Sequence, residues 1–306
     1  MAQPAQSPPA EKTGFAVLAL IVCAMFWGSN VVVGRAVHAE IPPVALAFWR
    51  NIVAVTVLLP FTLPNVIAQW GLIRKSWRVI LAAGVIGTAL FNSTLYLALQ
   101  TTTAINAALV MSLTPVAVPA MAFLLLRDRL TTWQAAGIAA SLAGVVVILG
   151  RGDPAVLAGL AFVPGDFLMI GATLCWSFYV VVVKFRPPDL GPFTFLTAVL
   201  ACVGPAILPF YIWETTTVRP MPLTWEAAAA AGYLGIFPTM VSLILFNRAV
   251  EVLGPNRSGQ YQHLVPVFAS IFAIVFLGER LALFHIVGAA LIAAGLYLAT
   301  VRRPAR

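Results

Sequence analysis

The sequence predicts an all-α membrane protein with ten transmembrane helices, arranged as two inverted five-helix repeats with both termini in the cytoplasm. Three observations predict this fold: ten apolar segments, an uneven distribution of basic residues and an internal repeat. Hydrophobic residues make up 61% of the 306-residue chain and charged residues only 9%, whereas a soluble domain is about half apolar and a quarter charged. Lipid is therefore the expected solvent for most of the chain.

Apolar segments recur along the chain between charged or Pro- and Gly-rich breaks. Most of them have the roughly 20 residues that a helix needs to cross a hydrocarbon layer about 30 Å thick. The connections are mostly short, so consecutive helices are expected to be antiparallel neighbours. The ten segments run over residues 14–34, 43–63, 79–99, 103–126, 132–150, 165–184, 191–213, 226–248, 257–277 and 281–301.

Basic residues are distributed unequally between the two sides of the predicted membrane. Of the 18 Lys and Arg residues, thirteen fall on the side of the N-terminus and four on the opposite side, while Arg50 lies within the second segment. Loops rich in Lys and Arg remain in the cytoplasm. This distribution predicts cytoplasmic tails at 1–13 and 303–306 and an even number of spans. The basic residues form no stripe, so no nucleic-acid partner is expected.

The fourth and fifth segments resemble the ninth and tenth. An offset of 151 residues superposes Leu113 on Leu264, Pro115 on Pro266, Asp128 on Glu279, Arg129 on Arg280, Leu130 on Leu281 and Gly137 on Gly288. The first and sixth segments match at an offset of 149, which aligns Trp27 with Trp176. Because each copy holds an odd number of helices, the second copy is inverted. Residues 14–152 and 153–302 are thus predicted to be inverted halves, as in alternating-access transporters.

The runs Pro115–Leu130 and Pro266–Leu281, the helices after them, and the WGSN sequence at Trp27–Asn30 carry a family resemblance. On these residues the chain resembles the drug/metabolite transporter superfamily, of the ten-helix EamA type, and is most similar to its exporters of aromatic and other amino acids. The resemblance covers nearly the whole chain. It implies a central cavity lined by helices one to four and six to nine, with helices five and ten at the periphery.

Polar and aromatic residues near mid-membrane are the candidate substrate contacts, because a polar group in lipid is costly unless it is paired or functional. They are Trp27, Asn30, Asn92, Tyr96, Trp176, Tyr179, Gln260 and His263. Within each predicted helix these residues are spaced by three or four, so they share one face. A pocket of stacking surfaces and neutral hydrogen-bond partners suits a zwitterion. Helix packing is the alternative for each residue, and for His263 a structural hydrogen bond is the expected role.

Arg50 and two prolines have further candidate roles. Arg50 lies roughly two turns inside the outer edge of the second segment. It either contacts a substrate carboxylate or has a structural role, in which it snorkels or holds the neighbouring loop. The repeat-matched Pro115 and Pro266 are candidate hinges, since each removes a backbone donor from its helix. A static packing kink is the alternative.

Small residues in the fifth and tenth segments are spaced for close helix approach. These residues are Gly137, Ser141 and Gly144, and Gly288, Ala289 and Gly295. They are expected to dock the two helices onto the core or onto another protomer, which would give a homodimer through the peripheral helices.

The motifs of an enzyme are missing from the sequence. There is no HExxH or GxSxG pattern, the three cysteines lie in apolar segments without metal-ligand spacing, and no Asp or Glu falls near the middle of a span. The sequence therefore predicts no catalysis, no cofactor and no metal. It predicts an inner-membrane exporter of small polar metabolites, above all amino acids, that works by alternating access through facilitated diffusion or exchange. A multidrug exporter of lipophilic cations is the first alternative, and a channel or membrane scaffold is the second.

Overall fold

The structure, a computed structural model, describes residues 10–126, 132–153, 155, 163–253 and 261–300, and all regular structure within these ranges is helical. We number the main helices α1 to α10 in chain order. They are α1 (Ala10–Ala36), α2 (Pro43–Ala68), α3 (Trp77–Leu81, Ala82–Leu90 and Phe91–Ala98), α4 (Ala104–Met111 and Thr114–Leu126), α5 (Thr132–Leu149), α6 (Pro164–Val182), α7 (Pro192–Thr217), α8 (Trp225–Leu234, Gly235–Val241 and Ser242–Leu253), α9 (Leu264–Leu277) and α10 (Leu283–Thr300). A short helix, Trp70–Lys75, precedes α3, and 3-10 turns at Val183–Phe185 and Tyr261–His263 follow α6 and precede α9.

Six of these helices are long and apolar enough to cross a membrane: α1, α2, α3, α6, α7 and α8. The two pieces of α4 meet the same criteria together, although they are bent by 49°. The described parts of α5, α9 and α10 are shorter apolar helices. The prediction of a multi-pass helical membrane protein is therefore confirmed, while the membrane crossing of the three shorter helices stays a prediction.

The helix ends follow from local sequence. Proline is the first residue of three described helices, where its missing N–H has no partner to lose: these residues are Pro43, Pro164 and Pro192. The hydroxyl of Thr103 caps α4 by accepting from the Asn106 N–H at 3.1 Å. Gly278 ends α9 in the left-handed conformation, with φ of 66°, which favours glycine at a helix C-terminus.

The helices pack in a pattern that is reciprocal between the two halves of the chain. α1 packs on α8 and α9, while α6 packs on α3 and α4. α2 packs on α7 and α8, while α7 packs on α2 and α3, and α5 and α10 pack chiefly on each other. If each helix of α1–α5 is replaced by its counterpart in α6–α10 and the reverse, the same set of principal contacts results. This is the pattern expected of a duplicated chain.

The small residues of α5 and α10 lie in the contact between these two helices. A Cβ atom on Gly144 would lie 2.7 Å from the carbonyl oxygen of Gly288, and one on Gly295 would lie 2.4 Å from that of Gly137. The Ser141 hydroxyl donates across the same contact to a carbonyl of α10, at 3.4 Å. These small residues thus dock α5 and α10 onto each other within one chain, while a homodimer through the peripheral helices stays a prediction.

Candidate functional site

A cavity lies between the two halves of the chain. It contains about 920 Å³ of empty space, including the part that opens to solvent. Its described lining comes from α1–α4, α6–α9 and the turn before α9, the helices that the family resemblance implies. The lining residues are Trp27, Asn30, Arg50, Thr88, Phe91, Asn92, Ala108, Met111, Ser112, Thr114, Trp176, Tyr179, Leu196, Leu200, Pro238, Thr239, Leu243, Gln262, His263, Val265 and Pro266.

Arg50 forms the polar wall of this cavity and is only 5% exposed. Its Nη1 donates to the Oδ1 atoms of Asn30 at 3.0 Å and Asn92 at 2.8 Å, and to the Tyr96 hydroxyl. Its Nη2 donates to the Thr239 hydroxyl. All four partners are neutral and lie on helices, so Arg50 neither snorkels to the membrane surface nor holds a loop.

Wide turns in α3 and α8 bring hydroxyl groups to the cavity wall. The segments Ala82–Leu90 and Gly235–Val241 are π-helical, a geometry that recurs at functional sites because it displaces side chains and backbone groups from the regular ladder. In α8, Pro238 has no N–H to donate, and Thr239 bridges the widened turn by donating to the Leu234 carbonyl at 2.8 Å. The same hydroxyl can therefore accept from Arg50 while it donates to the backbone.

Four aromatic rings form a second wall of the cavity. Trp176 stacks on Tyr179 with ring centroids 5.0 Å apart, and lies 5.3 Å from Phe91. Trp27, at the repeat-matched position, meets Trp176 edge-on at 6.3 Å. The Trp27 indole is held by a hydrogen bond from Nε1 to the Pro238 carbonyl, at 3.1 Å. Such rings offer flat apolar surfaces on which a planar or aliphatic group can pack.

The cavity also touches the break in α4 and the start of α9. α4 is interrupted at Ser112 and Leu113, and its second piece starts at Thr114, so Pro115 occupies a first-turn position where its missing N–H is tolerated. Pro266 likewise is the third residue of α9 and lines the cavity. The prediction that both prolines interrupt helices is thus refined, because each lies near the start of a helical piece.

The structure brings together six of the eight predicted contact residues in the cavity wall. They are Trp27, Asn30, Asn92, Trp176, Tyr179 and His263. Tyr96 does not line the cavity: it is 1% exposed and lies behind Arg50. Gln260 and the side chain of Pro115 lie outside the described part of the structure.

Sequence reasoning missed several lining residues, which are Thr88, Phe91, Met111, Ser112, Thr239 and Gln262. Two of them carried a usable signal. Thr239 follows a mid-helix proline in an otherwise apolar run, and Gln262 is next to His263. Thr88 and Phe91 face the cavity through the wide turn in α3, whose altered period a regular helix does not predict.

Two carboxylates, those of Glu214 and Glu279, bind the N-termini of helices and lie outside the cavity lining. Glu214 of α7 accepts from the backbone N–H groups of Val44 at 3.1 Å and Ala45 at 2.7 Å, at the start of α2. Glu279, in the turn after α9, accepts in the same way from Ala104 at 2.8 Å and Ile105 at 3.0 Å, at the start of α4. Negative charge at a helix N-terminus stabilises that end. None of the described residues that line the cavity is acidic, and no group of His, Cys, Asp or Glu in the described chain is arranged to hold a metal.

Comparison with known proteins identifies the family. The EamA-like transporter family matches the chain twice, over residues 14–150 and 163–301. The uncharacterised transporter YyaM of Bacillus subtilis is 24% identical over 284 residues, which cover 92% of each chain. An uncharacterised transporter of Archaeoglobus fulgidus is 26% identical over 294 residues, or 94% of this chain and 97% of its own. A probable terminal-alkyne amino-acid exporter of Streptantibioticus cattleyicolor is 29% identical over 204 residues, 63% of each chain.

A solved crystal structure has the same fold, with a TM-score of 0.60 over 93% of this chain and 96% of that one, at 19% identity. The members of the matched family are transporters and not enzymes. The two family matches together span nearly all of the described helices. The chain belongs to the EamA-like transporter family.

Proposed function

We propose that this transporter exports small polar metabolites, above all amino acids, by alternating access between two inverted five-helix halves. One observation carries the proposal: both halves contribute repeat-matched residues to a single cavity. Trp27 and Trp176 are one such pair, and Ser112 and His263 are another. A site shared in this way opens to one side of the membrane or the other when the halves tilt against each other.

The proposal includes ten spans, inverted halves and cytoplasmic termini in the inner membrane. Two separate family matches, at 14–150 and 163–301, support the duplication. The reciprocal helix contacts support an exchange of roles between the halves. The excess of basic residues on the side of the N-terminus supports the orientation.

Amino acids are the favoured substrates for two reasons. The cavity combines neutral hydrogen-bonding groups with aromatic surfaces, which suits a polar head group with a variable side chain. A relative with 29% identity is named a probable amino-acid exporter. Because none of the described lining residues is acidic, we favour facilitated diffusion or exchange over coupling to a proton carried in the cavity.

A counterflow screen of the purified protein in liposomes tests this function. The liposomes are loaded in turn with amino acids, nucleosides, sugars or quaternary amines, and uptake of the labelled compound is followed. We expect saturable counterflow of amino acids, with no uphill flux under a pH gradient alone. Block by cationic dyes but not by amino acids would favour the multidrug alternative. Flux far above carrier rates would favour a channel.

A further inference from the structure

We infer that Arg50 is the residue that binds the substrate, and that it recognises a carboxylate without need of an amino group. The inference rests on the proposed transport function and narrows its substrate class to carboxylates with an apolar or aromatic side chain. Amino acids belong to this class, but their deaminated analogues belong to it equally.

Charge balance is the first argument. Arg50 is buried in the membrane-spanning part of the protein, where an uncompensated cation is costly. Its four hydrogen-bond partners, Asn30, Asn92, Tyr96 and Thr239, supply dipoles but no negative charge. Since the described cavity lining has no acidic side chain, an anion that enters the cavity supplies the missing counter-charge.

The hydrogen-bond geometry is the second argument. The three acceptors of Nη1 lie on α1 and α3, in the same half of the chain as Arg50. Nη2 instead donates across to Thr239 on α8, in the other half. Thr239 has a second partner, the Leu234 carbonyl, to which its hydroxyl donates at 2.8 Å. A carboxylate can therefore replace Thr239 as the acceptor of Nη2 and leave Thr239 hydrogen-bonded.

This exchange of acceptors links binding to movement. In the structure, the Arg50–Thr239 hydrogen bond joins α2 to α8 and hence one half to the other. A carboxylate bound to Nη2 breaks that link while Nη1 stays fixed to the first half. The substrate thus removes one restraint on the movement of the halves when it binds.

The aromatic wall explains why the amino group is dispensable. Its groups are the aromatic rings of Trp27, Phe91, Trp176 and Tyr179, which pack well against a side chain but carry no formal charge. An ammonium group that enters the cavity leaves water without gaining an anionic partner among the described lining residues. The carboxylate gains a hydrogen bond from the Arg50 guanidinium. Charge-assisted hydrogen bonds of this kind are about twice as strong as neutral ones.

Ligand selectivity of the unmodified protein is the first test. The probes are L-leucine, L-methionine, L-phenylalanine and L-tryptophan, each compared with its deaminated acid, its carboxamide and its deaminated carboxamide. Binding to detergent-purified protein is measured by calorimetry. We expect each deaminated acid to bind at least as tightly as its amino acid, and both to bind at least about tenfold more tightly than the matching carboxamides, the gain of a charge-assisted hydrogen bond. Equal binding of acids and carboxamides, or binding of no acid at all, would overturn the inference.

Substitutions at Arg50 and at its hydrogen-bond partners provide the second test. Asn92→Asp places a carboxylate at the position of an amide that already contacts Nη1, and it gives up the hydrogen bond from Asn92 Nδ2 to the Thr88 carbonyl. The new charge should neutralise Arg50 and abolish acid binding. Arg50→Gln should also abolish acid selectivity. Thr239→Val removes the competing acceptor and should tighten acid binding, whereas Thr62→Val, at a buried hydroxyl contact between α2 and α7, should not. Acid binding that survives Asn92→Asp, or that Thr239→Val leaves unchanged or weakens, would contradict the exchange of acceptors.

Counterflow of the same probes separates this inference from the proposed function. If Arg50-dependent binding of acids is found but no compound shows flux, the carboxylate site stands and the transport proposal fails. If amino acids and their carboxamides show equal counterflow that Arg50→Gln does not change, the transport proposal stands and the carboxylate inference fails.

Discussion

The Nη2 atom of Arg50 on α2 donates to the hydroxyl of Thr239 on α8, so a buried cation joins the two halves of the transporter in the wall of its cavity. The other three acceptors of Arg50 lie in its own half. Nη1 of Arg50 is therefore fixed to the first half, while the acceptor of Nη2 can be exchanged. The residues around Arg50 have different roles, and each role can be tested by its own substitution.

Tyr96 positions Arg50 from behind the cavity. Its hydroxyl accepts from Arg50 and donates to Asn30 Oδ1 at 2.8 Å. We expect Tyr96→Phe to lower the stability of the protein by about 1–3 kcal/mol, because the buried charged group loses an acceptor. The thermal midpoint in detergent measures this loss. Tyr211→Phe is the control, since that hydroxyl contacts Trp49 at an exposed site; equal midpoints for the two variants would contradict the positioning role.

Trp176 is the central ring of the aromatic wall. It contacts Tyr179, Phe91 and Trp27, and we expect Trp176→Ala to weaken binding of the transported substrate by roughly tenfold or more, the effect of losing an aromatic contact and leaving a cavity. Substrate affinity from counterflow saturation gives the measurement. Trp213→Ala, at a position that is 58% exposed on the outside of α7, should leave affinity unchanged. A wild-type affinity in the Trp176 variant would exclude this wall from the site.

Gly295 is needed for the contact between α5 and α10. A methyl group at this position would lie 2.3 Å from the Ser141 Oγ and 2.4 Å from the backbone oxygen of Gly137, so Gly295→Ala must push the helices apart. We expect a loss of about 1–3 kcal/mol in stability, the typical cost of overpacking. Gly232→Ala is the matched control, because a Cβ there meets nothing within 4 Å. If both variants unfold at the same temperature, the close packing of α5 on α10 is wrong.

Pro266 tests the hinge hypothesis. Because it lies in the first turn of α9, Pro266→Ala should leave folding and membrane insertion intact. We expect transport to slow several-fold without a change in substrate affinity, since alanine allows α9 to extend into the preceding turn and stiffen it. The turnover rate in counterflow is the readout, and Pro205→Ala on the exposed side of α7 is the control. Wild-type rates for Pro266→Ala and Pro115→Ala together would remove the hinge hypothesis.

The helical membrane fold was predictable because lipid imposes a simple rule on sequence: each span needs a long apolar run. Trp27 and Asn30 were predictable as cavity residues by the same logic, since a polar or aromatic group in lipid needs a partner or a ligand. The repeat between α4 and α9 could be detected because Pro115 and Pro266 occupy matched positions.

The arrangement around Arg50 was not predictable from the sequence. The carboxylate and structural alternatives for Arg50 differ only in which residues surround it, and Thr239 is 189 positions away along the chain. Tyr96 and Asn92 share a helix face by spacing, yet one lies behind Arg50 and the other lines the cavity. Wide turns in α3 and α8 change which side chains face inward, and the rules of regular helical periodicity do not capture them.

Reversible cross-linking across the halves tests alternating access most directly. Glu279, after α9, holds the start of α4 through the backbone of Ala104 and Ile105, so the substitutions Thr103→Cys and Arg280→Cys, at exposed positions beside this contact, would let a cross-linker tie the halves together at one end. In a variant whose three native cysteines are replaced, a reducible cross-linker between these positions should stop counterflow, and dithiothreitol should restore it. Each single-cysteine variant should be unaffected. Full counterflow through the cross-linked protein would contradict a mechanism in which the two halves move apart at this end.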